Sequence, residues 1–290
     1  MGPVQVRRVE TPKEWEEFFA LSTPNRWVRK AQARALDVER NPFFHHAFRY
    51  ACIAIRDHKV VGRMVVTIDE NRNRAMGRAQ ALFGDWVHFG DINVARALLE
   101  HAAQWASNRG MESLAGPAIH GRIDGGLEAD DPLGDELEPL GFNPVREFRC
   151  FSLSTVARLP ERMVAHAERL RRVQGAEVVA VEPLDLAGGL PELVDVMNDS
   201  LKDVRGFAPL DAVEAHDVAR RLGPWIDPEL ILVARVRGTA AAFCLGLPEP
   251  LPEFAGLFSL PRLVAPAVRL AIKRRGYRMA ALGVRPGFRS

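Results

Sequence analysis

Of 290 residues, 47% are apolar and 26% charged, an ordinary globular balance that excludes a disordered or fibrous chain. Lys and Arg number 39 against 37 Asp and Glu, so a net charge of +2 gives no global pull toward nucleic acid. The length favours two domains over a single core. Cys52, Cys150 and Cys244 are odd in number and far apart. That argues against a disulfide framework and for a reducing compartment. No Cys-x-x-Cys or His-x-x-x-His pair is present to hold zinc, and no metal is expected. The N-terminus lacks the apolar core of a signal peptide, and no apolar run approaches the ~20 residues that cross a bilayer. A soluble, cytoplasmic protein without a transmembrane segment is expected.

Residues 4–8 read as a strand. Thr11-Pro12-Lys13-Glu14 then offers a cap, a proline at the first helical position and a capping-box glutamate, so a helix follows. A second helix covers 26–38 and stops before Asn41-Pro42, where the residue preceding proline leaves the helical region. Val and Ile crowd both sides of Asp57-His58-Lys59, which predicts a hairpin of strands at 51–56 and 60–68. A strand at 82–89 precedes a helix capped by Asp91, with Val94, Leu98, Ala102 and Trp105 at helical spacing and Gly110 at its end. A short strand at 113–115, a loop at 121–135, a helix end at 137–140 closed by Gly141 and a strand at 146–153 complete the first half.

The second half opens with a basic amphipathic helix at 160–173 that bridges the halves, then a strand at 177–182. Helices at 191–203 and 211–222, the latter capped by Asp211, lead to a hairpin of 229–236 and 239–247 across Arg237-Gly238. After Pro248, Pro250 and Pro252 come a helix at 263–275 and a strand at 278–284. Both halves therefore run strand, two helices, hairpin, strand, an internal repeat too long for a solenoid and better explained by a duplicated domain. The fold class is α/β, an α+β mixed sheet with flanking helices. The boundary falls between domains at 1–156 and 157–290, and the second copy lacks its last third.

Arg285-Pro286-Gly287-Phe288-Arg289, after Leu282-Gly283-Val284, resembles the opening of the cofactor motif of the GNAT superfamily, the CoA-dependent N-acyltransferases. Residues 35–47, followed by Val60-Val61-Gly62-Arg63, resemble an uncharacterised bacterial tandem-domain branch of that superfamily. Asn198-Asp199, with Gly206-Phe207 and Pro209, fits the second half of the same branch. The loop at 121–132 departs from it in being shorter and more acidic. The resemblance implies two tandem GNAT-like domains, acetyl-CoA or another acyl-CoA as co-substrate and a small-molecule amine as acceptor. It places Gly283, Val284 and Arg285 at the cofactor, and Asn198 and Asp199 in the substrate cleft. It names no catalytic base.

In such a site the pantetheine arm lies along a strand edge as an added strand would. A glycine-rich loop and a helix N-terminus hold the pyrophosphate, and a strand N–H stabilises the thioester oxyanion. In the first half, residues 83–93 carry no Gly-x-Gly and place acids where phosphates would sit, so this copy reads as degenerate. In the second, the phosphate loop would follow Ser290. The chain as it stands is expected to be inactive, with an exposed sheet edge that the rest of a longer chain, a homo-oligomer or the first half would cover, and a fragment or natural truncation is the favoured reading.

Other groups have simpler readings. Of His45-His46 one is expected at the surface and one packed, and Asp57-His58 is turn chemistry. The acids Asp124, Glu128, Asp130, Asp131, Asp135 and Glu136 read as a solvated loop, and the cations from Arg269 to Arg278 as a solvated helix end. Two alternatives stay open: a non-catalytic ligand- or partner-binding protein, and an anionic-surface module using the 263–275 helix.

Overall fold

The computed structural model describes residues 2–21, 26–118, 132–145, 151–154, 157–182, 185, 188–204, 206–223, 226–248 and 277–289. Of the expected elements, most of the 121–135 loop, the 263–275 helix and residues 146–150, with Cys150, lie outside these. Residues 151–153 carry no strand, so that part of the expected 146–153 strand is corrected.

The first sheet is ordered β1-β2-β3-β4-β5. It comprises β1 (Gln5–Arg8), β2 (Ala47–Arg56), β3 (Lys59–Asp69), β4 (Gln80–Val87) and β5 (Ser113–Ala115). All pairs are antiparallel except β4 with β5, which run parallel. The parallel pair needs a crossover, supplied by α4 (Ile92–Ser107), whose N-terminus is capped by Asp91. Thr11 and Glu14 form a capping box on α1 (Pro12–Ala20), as the sequence predicts, and α2 (Arg26–Ala35) follows. Successive strand residues face opposite ways. Cys52, Ala54, Met64 and Val66 accordingly pack with Leu98 and Ala102 of α4, while Ala51, Ile53 and Val65 pack with Phe18 and Leu36. Both faces are covered, which is why the central strands read as continuous apolar runs. A further helix, α3 (Glu70–Met76), capped by Asp69 and ended by a left-handed Gly77, links β3 to β4. The helix α5 (Pro132–Leu137) takes in Asp135, so the end of the expected loop is helical.

The second sheet is ordered β6-β7-β8-β9 and is antiparallel throughout. Its strands are β6 (Ala176–Ala180), β7 (Ile231–Val236), β8 (Thr239–Pro248) and β9 (Tyr277–Val284). It is preceded by α6 (Glu161–Gln174) and carries α7 (Gly189–Leu201) and α8 (Ala212–Leu222) between β6 and β7. Val196 and Met197 of α7, Ala215 and Ala219 of α8, and Val233 and Phe243 of the sheet share one core.

The two hairpins match in detail. Asp57 and His58 turn β2 into β3 with φ of 49° and 61°, and Arg237 and Gly238 turn β7 into β8 with φ of 51° and 80°. Both central residues in the left-handed region make each a tight turn whose twist suits the strands. In the first hairpin Ala54 faces Gly62 and Ile55 faces Val60, leaving Val61 as an extra residue. In the second, Ala234 faces Ala242 and Arg235 faces Ala240, leaving Ala241 extra at the same distance from the turn. Superposing these registers puts Arg63 where Phe243 stands. Because Arg63 faces Val87 and Phe243 faces Gly283, it also puts His88 where Val284 stands.

Candidate functional site

The candidate site is the C-terminal end of β9. The Arg285 N–H donates to the Ala241 carbonyl at 2.8 Å. Alternation along an antiparallel strand then directs Gly283 at β8 and turns the N–H of Val284 outward. Among the described residues no strand pairs with that outer edge. The Val284 carbonyl accepts from Arg289 Nε at 2.9 Å. A Cβ on Gly283 would lie 2.6 Å from Phe243 Cε1 and 2.7 Å from Ser200 Cβ, so only glycine lets α7 approach β9 this closely.

The acids of α7 gather the cations that follow β9. Arg285 pairs with Asp195 and lies 3.8 Å from Asp199 Oδ2. Arg289 donates to the Ser200 carbonyl at 2.7 Å and lies 3.9 Å from Asp203. Lys202 first, then Arg285 and Arg289, hold the Asp199 carboxyl below the usual range. Gly283, Val284, Arg285 and Asp199 are therefore brought together. Asn198 is not aimed at them: its amide donates to the Leu210 carbonyl at 2.9 Å and accepts from the Leu210 N–H at 3.0 Å. Arg289, the last residue of the motif, joins the cluster with Asp195 and Ser200, and those two were not singled out by sequence. Their only signal is position, Asp195 lying one helical turn before Asp199 and Ser200 directly after it. An anion approaching Arg285 must displace a carboxylate already seated there.

The equivalent end of β4 is closed. His88 lies against Trp86 with ring centroids 4.5 Å apart, and its Nε2 is 3.1 Å from Glu136 Oε2. Burial pulls the His88 pKa down, against the pull of Glu136 and Asp91. Phe142 packs edge-on to Phe83 with centroids 5.4 Å apart. Asp85 pairs with the buried guanidinium of Arg63 at 3.3 Å, and Asp91 pairs with Arg56 while capping α4. The acids that set this stretch apart in the sequence thus pair with arginines or cap a helix.

Between the two sheets, His46 connects the halves. It follows a short 3-10 turn (Pro42–His45) that leaves His45 exposed and His46 packed. Its Nδ1 lies 3.1 Å from Asp69 Oδ1 and its Nε2 3.2 Å from Glu214 Oε1 on α8. His46, Asp211 and Glu214 bring potential ligand atoms within 4.8 Å of one another, the one such group among the described residues. Asp211 and Glu214 are also engaged in the capping box of α8. Among the cysteines, burial pushes the Cys52 thiol up to about 12 and raises that of Cys244. Among the described residues no helix is long and apolar enough to cross a membrane.

No protein-family model matches the chain. A bacterial ceramide synthase from Caulobacter vibrioides is 27% identical over 277 residues, covering 86% of this chain and 71% of that protein. An aminoglycoside N-acetyltransferase solved in complex with CoA is 14% identical, covering 52% of this chain and 99% of its own, with a TM-score of 0.34. The GCN5-related glucosamine N-acetyltransferase region of a fungal multi-domain β-N-acetylglucosaminidase covers 100% of this chain. It does so at 12% identity and a TM-score of 0.52, with 32% of the fungal chain matched. Strand order, flanking helices and this whole-chain likeness agree that the protein is built on the GCN5-related N-acetyltransferase fold.

Proposed function

We propose that the protein transfers an acyl group from acyl-CoA to an amine, and that the acyl–pantetheine arm lies along the outer edge of β9. The observation that carries this reading is the Val284 N–H, turned to an edge that no described strand fills. A pantetheine arm can pair with such an edge, and the N–H then meets the thioester oxygen as negative charge develops on it. The neutral amine attacks the carbonyl carbon, the C–S bond breaks, and the proton lost by the nitrogen goes to the departing sulfur, so CoA leaves as the thiol. The packing around His88 supports a first domain, at 1–156, that lends structure, and a second, at 157–290, that carries the chemistry. A ceramide is an N-acylated long-chain amino alcohol, so the likeness to a ceramide synthase supports an apolar amine as acceptor. A cytoplasmic place for the reaction goes with the composition.

The test is release of CoA thiol from palmitoyl-CoA with dihydrosphingosine or an amino sugar as acceptor. Against the expectation of inactivity for want of a phosphate loop, the thioester step needs only the β9 edge, so release that depends on the long-chain amine, and that falls about 10²–10³-fold in Val284→Pro, is the expected result. The missing N–H points away from β8, so the fold survives this change, as circular dichroism would record. Equal release by Val284→Pro, or none with any amine, overturns the proposal.

A second reading is a ligand-binding protein without turnover. It is supported by Arg285, whose guanidinium is held by Asp195 and lies close to Asp199. Saturable acyl-CoA binding without thiol release would favour it.

A further inference from the structure

The segment joining the two sheets leaves an apolar surface uncovered. Phe151, Leu153 and Leu159 before α6, and Met163, Val164 and Val173 on it, are all exposed, Phe151 to 91%. No residue of α6 is buried. Met163, Ala167 and Leu170 recur at helical spacing along one stripe, and Glu161 and Glu168 share the opposite side. Arg162 and Arg169 border the stripe on one flank and Arg171 on the other. Residues 157–175 hold five arginines (158, 162, 169, 171, 172) against two glutamates (161, 168).

A helix that packed on its own sheet would bury such a stripe, and one that only faced water would not carry it. Basic residues flanking an exposed apolar stripe, with acids confined to the far side, match the interface of a bilayer. Apolar side chains enter the headgroup boundary there, and arginines meet lipid phosphates. We infer that α6 and the segment before it dock the protein on an anionic lipid surface. The occupant is fixed by charge: a neutral apolar partner leaves the flanking arginines without counter-charges, and a nucleic acid leaves Met163, Val164 and Val173 without an apolar phase. This inference stands apart from the proposed acyl transfer, since none of its residues belongs to the β9 site.

The experiment is co-sedimentation of the whole protein with vesicles of phosphatidylcholine alone or mixed with phosphatidylglycerol, at low and high salt. Pelleting with the anionic vesicles, weakened by salt, is expected. Met163→Glu with Val164→Glu is expected to weaken it at least about ten-fold. Arg169→Glu with Arg171→Glu, one on each flank of the stripe, is expected to do the same. These side chains are exposed, so thermal melts should match the wild type and rule out misfolding. Three results would each overturn the inference. They are failure to pellet with anionic vesicles, wild-type binding by both variants, or a stable dimer by light scattering that only the Met163→Glu, Val164→Glu variant breaks.

Discussion

His46 of the first half ends 3.2 Å from Glu214 of the second, and its other nitrogen is held 3.1 Å from Asp69. Burial opposes the imidazolium, but the Glu214 and Asp69 carboxylates outweigh it and raise the His46 pKa above its ordinary value. Burial raises the Glu214 carboxyl as well, against the Asp211 N–H and His46, so both groups retain protons longer than they would unfolded.

A raised histidine contributes stability that is complete below its unfolded pKa of 6.5 and lost as pH climbs through the raised value. The thermal midpoint should therefore fall between about pH 6 and about pH 9 by more in the wild type than in His46→Gln. The difference should be a few degrees, roughly 2–4 °C for each kcal/mol. Parallel profiles for the two proteins would mean that the contact does not hold the halves together.

Asn198 accepts from and donates to the backbone of Leu210. Asn198→Ala leaves both backbone groups without that partner and should lower stability by about 1–3 kcal/mol in urea titration. Its KM for acyl-CoA should stay unchanged. A raised KM at wild-type stability would instead put Asn198 in the cleft.

Gly283→Val places its Cβ within 2.7 Å of Ser200 Cβ and closer still to Phe243. Both neighbours are buried and cannot swing aside. A loss of about 1–3 kcal/mol is expected, partly restored by Phe243→Leu. A neutral Gly283→Val, read by urea midpoint, would show that α7 does not lie this close to β9.

Local chemistry made much of the fold legible. The Thr11–Glu14 capping box, the two hairpins and the stripe of α4 are written within a few residues of one another and stand as expected. The helix α3 escaped because Glu70–Met76 is polar and buries no residue, leaving no periodicity to read. Strand β2 begins at Ala47, ahead of its Val- and Ile-like core, because Phe48, Arg49 and Tyr50 pair with β3 although only half the strand is buried. At the site, the Gly283–Arg285 run was visible as a motif. Its partners Asp195 and Ser200 were not, since nothing in a sequence says that a helix about 90 residues upstream will lie across that strand. The same distance hid the pairing of His46 with Glu214. Arg63 is hidden for another reason: a lone cation in a strand reads as solvent-facing, whereas here it donates to the Phe18 carbonyl and pairs with Asp85.

The surplus residue in each return strand bends that strand without deciding which side chains look inward. Removing Ala241 would leave Arg235 facing Ala240 and Ala234 facing Ala242, so the ladder would close with its register intact. Phe243 would still stand opposite Val233 in the core, and only the local kink and its extra twist would be lost. Val61 holds the same place in the other sheet, so a single-codon deletion at either position is a change of curvature, with the buried set of side chains kept.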